Sequence, residues 1–363
     1  MAASAPIQGL KVGVYEIPTD RPESDGTLRW DSTTLVLVEI EAGGKTGVGY
    51  TYADAATARL IEGKLKGVVQ GGDALATSLC WHAMVHALRN LGRPGVCAAA
   101  VSAVDNALWD LKGRLLNAPV VQLLGAARER VPVYGSGGFT SYSDDELKAQ
   151  LGGWAADGMA YVKMKIGREP DRDPARVEAA RSAIGGIDLF VDANGAYARK
   201  QALAMAERFR PLGVTWFEEP VSSDDLAGLR LIRDRAPPPI EVSAGEYGYT
   251  SWYFRRMLEA GAVDVLQADA TRCCGITGFM QAAALCEAFG IPLSSHCGPA
   301  LHLHPACAAL RTRHMEWFHD HVRIEHMLFD GAPIPKDGHL APDLSRPGLG
   351  LDFKHRDAER FAV

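Results

Sequence analysis

Six short runs of sequence decide the fold: Tyr161-Val-Lys-Met-Lys165, Leu189-Phe-Val-Asp192, Thr215-Trp-Phe-Glu218, Glu241-Val-Ser-Ala-Gly-Glu246, Asp264-Val-Leu-Gln-Ala-Asp269 and Pro292-Leu-Ser-Ser-His296. Each run leads through apolar residues to a polar or ionisable residue at its end. The steps between successive ends are 27, 26, 28, 23 and 27 residues, which is the length of one strand, one helix and two short loops. The spacing predicts a (β/α)8 barrel, in which the C-terminal ends of all strands share one mouth.

The regions around this repeat predict two further units. Residues 7–51 show the alternation of antiparallel strands, and residues 98–116 carry an apolar stripe at helical spacing. We therefore predict an N-terminal α+β capping domain at residues 1–125 and a barrel domain at residues 126–320. The segment 321–363 is rich in Pro and Gly, and we expect it to pack back on the capping domain. Residues 19–30 are predicted to form a polar loop, ending in Arg29 and Trp30, that either closes over a ligand or is a solvated hairpin tip.

Composition excludes several classes of partner. The chain has 363 residues, with 38 basic and 44 acidic side chains, a net charge of -6 and a pI near 6.0. Such a balance gives no general attraction to nucleic acid or to an anionic membrane. No apolar run approaches the roughly 20 residues that span a bilayer, and seven cysteines without framework spacing fit a reducing compartment. We expect a soluble cytoplasmic protein.

Three carboxylates end consecutive predicted strands: Asp192, Glu218 and Glu246. Side chains placed so closely would repel one another unless a cation lay between them. Oxygen ligands favour Mg²⁺, and Mn²⁺ is the expected substitute. The alternative is three surface acids on barrel loops.

Two lysines and an Asp–His pair complete the predicted mouth. Lys163 and Lys165 are two residues apart on one strand and therefore face the same way. Burial of two ammonium groups is costly without matching carboxylates or an anionic ligand. Asp269 and His296 end the next two strands, so the acid is placed to orient the imidazole and stabilise its charged form.

These motifs together resemble those of the mandelate racemase group in the enolase superfamily, over nearly the whole chain. The carrying residues are Lys163-Met-Lys165, Asp192-Ala-Asn194, Glu218-Glu-Pro220, Gly245-Glu246, Asp269 and His296, supported by Asp105-Asn-Ala-Leu-Trp-Asp110 and Leu123-Leu-Gly125. The resemblance implies a modified TIM barrel with a capping domain that the C-terminal segment completes. We also expect a small-molecule carboxylate substrate and a homo-oligomer.

The resemblance also implies roles for individual residues. Asp192, Glu218 and Glu246 would bind Mg²⁺, and Lys163 would neutralise the substrate carboxylate. Lys165 would act as acid or base on one face of the substrate, and His296, oriented by Asp269, on the other. The candidate substrate contacts are Glu316, with Glu325 as its alternative, and Asn194, Ser136, Trp30 and Arg272. Arg272 is the candidate for a distal carboxylate of a diacid.

The shared chemistry implied is removal of a proton α to a carboxylate through an enediolate. The leading hypothesis is dehydration of an aldonate or aldarate to a 2-keto-3-deoxy sugar acid. Racemisation, epimerisation and lactone cycloisomerisation are alternatives, because opposed acid/base groups serve all of them. Two hypotheses from other classes are a metal-dependent hydrolase using His302-Leu-His304 and His319-Asp-His321, and a noncatalytic sugar-acid-binding protein.

Overall fold

A computed structural model describes residues 4–363. Residues 1–3 of the predicted capping domain lie outside the described part. The capping unit opens with a three-stranded antiparallel sheet in the order β1-β2-β3. Its elements are β1 (Ile7–Ser24), β2 (Arg29–Ala42), β3 (Lys45–Tyr52), α1 (Ala56–Leu60), a π-helical turn (Ile61–Leu65), α2 (Lys66–Val69), α3 (Thr77–Ala87), a 3-10 turn (Arg89–Leu91), α4 (Val96–Leu116) and α5 (Val120–Leu124).

The two faces of β2 pack against different partners. Val36, Val38 and Ile40 share a buried cluster with α4 and its neighbouring helices, whereas Leu35 and Leu37 belong to the cluster that includes the barrel. Alternate side chains of a strand point to opposite faces. The sheet is therefore covered on one side by its own helices and on the other by the barrel.

The predicted polar loop at residues 19–30 is instead mostly strand. β1 and β2 pair through Glu23–Trp30 and Ser24–Arg29, with a shift of register after Pro18. One carboxylate oxygen of Asp25 accepts hydrogen bonds from Thr27 N and Leu28 N and closes the turn. Backbone hydrogen bonds between β1 and β2 thus form this long hairpin although its sequence is polar. A strand ladder is made by backbone groups and does not require apolar side chains.

Eight parallel strands close the barrel, since the last strand pairs with the first through Met315–Val133 and Phe318–Ser136. The strands are β4 (Val131–Gly137), β5 (Tyr161–Lys165), β6 (Asp188–Asp192), β7 (Val214–Glu218), β8 (Glu241–Ala244), β9 (Val265–Ala268), β10 (Leu293–Ser295) and β11 (Thr312–Phe318). Each is followed by a helix: α6 (Asp144–Ala156), α7 (Asp173–Ile184), α8 (Arg199–Phe209), α9 (Leu226–Arg235), α10 (Ser251–Glu259), α11 (Gly275–Phe289), α12 (Pro299–Ala308) and α13 (His319–Leu328). A 3-10 turn (Arg210–Leu212) follows α8. The predicted barrel is confirmed.

Local sequence signals explain where these elements begin and what they bury. At α6 the Ser143 hydroxyl accepts from Glu146 N while the Glu146 carboxylate accepts from Ser143 N, which satisfies two free amides of the helix start. Inside the barrel, large side chains of four strands fill the space below the mouth: Tyr134, Phe190, Trp216 and Val265. The barrel is a packed core that is open to ligands only at its C-terminal end.

The C-terminal segment contributes β12 (Phe329–Asp330), β13 (His339–Leu340), β14 (Asp352–Phe353), α14 (His355–Ala358) and a 3-10 turn (Glu359–Phe361). β13 pairs with β4 of the barrel, and Val363 N donates to Val14 O of the capping sheet. The boundary predicted between residues 320 and 321 falls inside α13, which contacts both units; the division into three units stays a prediction. Among residues 4–363 no helix combines the length and apolarity needed to cross a bilayer.

Candidate active site

The predicted reacting side chains gather at the C-terminal ends of successive barrel strands. Their exposed fractions do not exceed 5%: Lys163 and Lys165 on β5, Asp192 on β6, Glu218 on β7, Glu246 after β8, Asp269 after β9, His296 after β10 and Glu316 on β11. The turn before Glu246 requires Gly245, because its φ is +139° and an added Cβ would lie 2.1 Å from Gln267 O. Backbone geometry therefore fixes where this carboxylate enters the mouth.

Asp192, Glu218 and Glu246 form a compact buried triad. One oxygen from each lies within 4.8 Å of the oxygens of the other two. Burial, followed by the charge of Asp192, raises the pKa of Glu218 to about 8. The raised pKa shows that the surroundings of Glu218 disfavour negative charge, so a cation bound between the three carboxylates would be favoured.

The charge balance of the mouth supports the same conclusion. Four basic side chains of the described residues reach this region: Lys163, Lys165, Arg272 and His296. Six buried carboxyl groups face them: Asp192, Glu218, Glu219, Glu246, Asp269 and Glu316. Oε2 of Glu246 is buried without a hydrogen-bond partner, although His296 Nε2 lies 3.2 Å away. A hard divalent cation with oxygen ligands fits this excess of carboxylate.

Lys163 is held as a fixed positive charge between two acids. Its Nζ lies 2.7 Å from Glu218 Oε1, 2.7 Å from Glu316 Oε1 and 3.6 Å from Asp192 Oδ2. Burial opposes the ammonium form, but the charges of Glu218 and Glu316 outweigh burial and raise the pKa of Lys163. This lysine is built to stay charged rather than to exchange a proton.

Lys165 pairs with a single acid. Its Nζ donates to Asp192 Oδ2. Burial opposes the charge and Asp192 more than offsets it, so the pKa of Lys165 is raised. The protonated form of Lys165 therefore depends on the negative charge of Asp192 and would be less favoured if another cation offset that charge.

Asp269 and His296 form the predicted pair. Nδ1 of His296 donates to Asp269 Oδ2 at 2.8 Å, while Asp269 Oδ1 accepts from Thr271 N and Thr271 Oγ1, both at 2.7 Å. Burial opposes imidazolium, but Cys297, Glu246 and Asp269 outweigh burial and raise the pKa of His296 well above its ordinary value. The free Nε2 lies 3.3 Å from Cys297 Sγ.

Glu316, and not its alternative Glu325, lies at the mouth. Besides Lys163, its carboxylate accepts from Ser136 Oγ at 2.6 Å and from Cys297 N at 2.7 Å. Ser136 therefore holds Glu316 from behind and does not line the cavity. Glu325 accepts from Tyr50 Oη at 2.6 Å and Ala300 N at 3.0 Å.

A cavity of about 460 Å³ opens between the mouth and the capping unit. Of the predicted contacts, Asn194, Arg272 and Trp30 line it, together with Lys165 and His296. Trp30 also donates Nε1 to Glu23 Oε2, which fixes its ring on the hairpin. Which of these side chains touch the substrate stays a prediction.

The first His-x-His motif, His302-Leu-His304, is occupied elsewhere. Nε2 of His302 accepts from Ala270 N at 2.7 Å, and its Nδ1 lies 2.8 Å from Gly298 O. His304 bonds Val121 N and Leu349 O through its two nitrogens. With both ring nitrogens engaged by backbone, neither histidine can be the metal ligand that the hydrolase hypothesis needs.

Sequence reasoning gave no role at this site to Cys297, Glu219 or His321, whereas it named Tyr52 as a candidate pocket residue. Cys297 touches His296, and Glu219 is a buried acid beside the triad whose pKa burial and Glu246 raise. Tyr52 and His321 stack in the cavity wall, with ring centroids 3.5 Å apart. The adjacent acids Glu218-Glu219 could have indicated a second buried carboxyl group. The Tyr52–His321 stack joins residues far apart in sequence, so no local pattern indicates it.

Comparisons with known proteins agree with this geometry. Residues 146–358 match the family model "Enolase C-terminal domain-like", and residues 14–125 match the N-terminal domain of mandelate racemase / muconate lactonizing enzyme. A 3,6-anhydro-alpha-L-galactonate cycloisomerase from Streptomyces coelicolor is 33% identical, covering 96% of this chain and 98% of its own. An arabinonate dehydratase from Saccharolobus solfataricus is 32% identical, covering 90% of each.

Solved structures show the same fold and the metal. A mandelate racemase/muconate lactonizing enzyme-like protein from Rubrobacter xylanophilus has 54% identity and a TM-score of 0.97, covering 99% of this chain and 100% of its own. A racemase from Streptomyces coelicolor A3(2) with bound magnesium has 32% identity and a TM-score of 0.92, covering 98% and 100%. The buried triad and these neighbours identify Mg²⁺ as the cofactor. The chain belongs to the mandelate racemase/muconate lactonizing enzyme family of the enolase superfamily.

Proposed function

We propose that this enzyme removes the proton α to the carboxylate of an acid sugar and expels the β-hydroxyl, giving a 2-keto-3-deoxy sugar acid. One observation carries the proposal: Lys165 and the Asp269–His296 pair enter one cavity beside different members of the acidic triad. Lys165 contacts Asp192, and His296 contacts Glu246. A substrate held over the triad would have a proton carrier on either side.

When bound, Mg²⁺ supplies positive charge that offsets the triad and the negative charge developing on the substrate carboxylate. Lys163 adds a second, permanent charge, because Glu218 and Glu316 keep it protonated. Both charges are in place before reaction, which is the arrangement that lowers the barrier to an enediolate most effectively.

Lys165 is assigned as the base. With the Asp192 charge offset, burial is left to favour the neutral amine, and its Nζ can accept the α proton. The electron pair of the C–H bond passes into the enediolate. The lysine thus gains its proton in the step that creates the intermediate.

His296 is assigned as the acid. Its raised pKa keeps Nε2 protonated, and this nitrogen faces the cavity while Nδ1 is held by Asp269. As the β C–O bond breaks, Nε2 gives its proton to the departing hydroxyl, which leaves as water. The enol that remains tautomerises to the 2-keto acid.

A second candidate is cycloisomerisation or epimerisation. The 33% identical cycloisomerase from Streptomyces coelicolor, matched over 98% of its length, favours it. In a cyclic substrate the same enediolate would expel the ring oxygen from the β carbon, which opens the ring without loss of water; in epimerisation a proton would return to the opposite face. The geometry of the proton carriers serves these reactions equally well.

The proposal is tested with Mg²⁺-loaded protein and a panel of aldonic and aldaric acids in D₂O. We expect a 2-keto product and at least about 10³-fold loss of turnover in Lys165→Ala and in His296→Asn. Lys148→Ala and His355→Asn, which change partly or largely exposed residues away from the cavity, serve as matched controls and should keep full activity.

The other outcomes separate the candidates. Deuterium incorporation at the α carbon without loss of water would favour epimerisation, and ring opening of a lactone or anhydro acid to an isomer, again without loss of water, would favour cycloisomerisation. Neither exchange nor product across the panel, with Mg²⁺ bound, would contradict the proposal.

A further inference from the structure

The cavity has a charged end and an uncharged or acidic end. Barrel residues Lys165, His296 and Arg272 line the end near the triad. The capping unit lines the opposite end, mainly with hydroxyl and carboxyl groups: Asp25, Ser32, Thr33, Thr34, Tyr52 and Asp54. A substrate whose carboxylate lies at the triad would therefore extend its tail toward the capping residues.

Every cation in the lining is already paired. Lys165 donates to Asp192, and His296 to Asp269. Arg272 lies 3.4 Å from Glu246 Oε1 and 3.7 Å from Asp269 Oδ2, against the ring of Tyr247. Turning Arg272 toward a distal carboxylate would break its contacts with these two buried acids, which disfavours that movement.

His321 supplies no further charge. Its Nδ1 lies 3.3 Å from Gly298 N, which donates to it, and its ring is stacked on Tyr52. Burial lowers the pKa of His321 to about 3, so the ring is neutral. Among the lining residues within the described range 4–363, no other lysine, arginine or histidine is present.

Both units offer hydrogen bonds to a neutral tail, the capping unit through Tyr52 and the barrel through Asn194. Tyr52 Oη and Asn194 Oδ1 are buried atoms without a hydrogen-bond partner, and both residues line the cavity. Because a buried polar atom is destabilising without a hydrogen-bond partner, a substrate hydroxyl placed beside either atom would be favoured. Asp25 and Asp54 would repel a carboxylate at the capping end but accept hydrogen bonds from hydroxyls.

We infer that the substrate is a monocarboxylic acid sugar, with a neutral hydroxylated tail that bonds Tyr52 and Asn194, and that diacids are discriminated against. The inference rests on the proposed function, because it takes the triad as the site of the reacting carboxylate. It reverses the expectation that Arg272 binds a distal carboxylate.

The test compares pairs of acids that differ only at the far carbon: D-gluconate with D-glucarate, and D-galactonate with galactarate. We expect the better monoacid to exceed its diacid partner at least about 30-fold in kcat/KM and to raise the Tm of the Mg²⁺-loaded protein more at equal concentration. A diacid that equals or exceeds its partner in both measurements overturns the inference while leaving the proposed function intact.

The thermal shift separates the two ideas when turnover fails. If no pair turns over or exchanges its α proton but monoacids still stabilise the protein more, the reaction is wrong and the inference stands. If neither member of any pair shifts the Tm, both are overturned.

Variants sharpen the comparison. Asp54→Asn removes a negative charge from the tail end while keeping the oxygen that accepts from Ala56 N; the monoacid-to-diacid ratio should fall several-fold. Asp31→Asn, an exposed change outside the cavity lining, is the matched control and should leave the ratio unchanged. An unchanged ratio in Asp54→Asn would contradict the electrostatic part of the argument.

Discussion

At the scale of single residues, the site is a set of buried charges that fix one another's protonation. Two acids, Glu218 and Glu316, keep Lys163 protonated, whereas the charge of Lys165 is stabilised by contact with one acid, Asp192. The same rule applies to His296, whose charged form is maintained by its acidic neighbours against burial. Which residue can exchange a proton is therefore set by the partners around it and not by its residue type.

Asp269→Asn should move the alkaline limb of the kcat profile to lower pH. The folded pKa of His296 is raised, so its acid form is present at low pH and is lost as pH rises through that pKa. Removing the Asp269 charge lowers the pKa of His296, so activity is lost at a lower pH. Measuring kcat in wild type and variant between pH 6 and 10 checks this.

Thr271→Val is the matched control for that experiment. It removes one hydrogen bond to Asp269 Oδ1 but keeps the carboxylate charge beside His296. Its alkaline limb should stay near that of the wild type. Coinciding limbs in Asp269→Asn and wild type would show that His296 is not the acid that the profile reports.

At the scale of elements, seven of the eight barrel strands, β5 to β11, bring a charged side chain to the mouth, and a bound cation would link the three units that carry the triad. Mg²⁺ at 100 times its dissociation constant should stabilise the folded protein by about 2.7 kcal/mol, seen as a higher Tm after metal is added to EDTA-treated protein. Glu246→Gln should lose most of this shift because it removes one triad charge.

Glu219→Gln is the control for the metal experiment. Glu219 is equally buried and adjacent in sequence to Glu218, but it is outside the triad. Its variant should retain the Mg²⁺-dependent rise in Tm. Equal losses in both variants would mean that the metal site is not the triad.

The elements that the sequence predicted well are those whose side chains must be buried. Apolar periodicity predicts the barrel helices and strands, and an apolar stripe at helical spacing predicts α4. The hairpin arm at 19–30 has no such pattern, because backbone hydrogen bonds form it and its buried side chains Glu23 and Ser24 are polar, bonded to Trp30 and Thr140. The predicted triad and Asp–His pair came from strand ends, whereas Cys297 and the Tyr52–His321 stack depend on tertiary contacts that no local pattern records.

At the scale of the whole molecule, hydrogen bonds across the junction hold the capping unit in place over the mouth. Asn106 donates to Ala270 O at 3.1 Å, and Thr51 Oγ1 donates to Thr271 O at 2.6 Å. The cavity walls from the two units are thus positioned by the backbone that follows Asp269. Substrate contacts on the cap and proton carriers on the barrel can keep a fixed relation.

A buried carboxyl group at this junction makes the stability of the whole chain depend on pH. Glu325 of α13 accepts from Tyr50 Oη of the capping sheet and from Ala300 N of α12. Burial raises its pKa to about 8. The folded state therefore holds this proton more tightly than the unfolded state, so the contribution of Glu325 to stability is full at low pH and is lost as pH rises toward 8.

Glu325→Gln should abolish that part of the pH dependence, because glutamine keeps an oxygen for Ala300 N and an amide for Tyr50 but cannot ionise. The free energy of unfolding of the variant relative to wild type should rise between pH 5 and 8.5 by up to about 4 kcal/mol, at about 1.4 kcal/mol per pKa unit. Urea unfolding across that range measures the difference, in which other titrating groups cancel. Glu287→Gln, an exposed partner of Arg311, should leave the difference flat; parallel curves for Glu325→Gln and wild type would place the titration elsewhere.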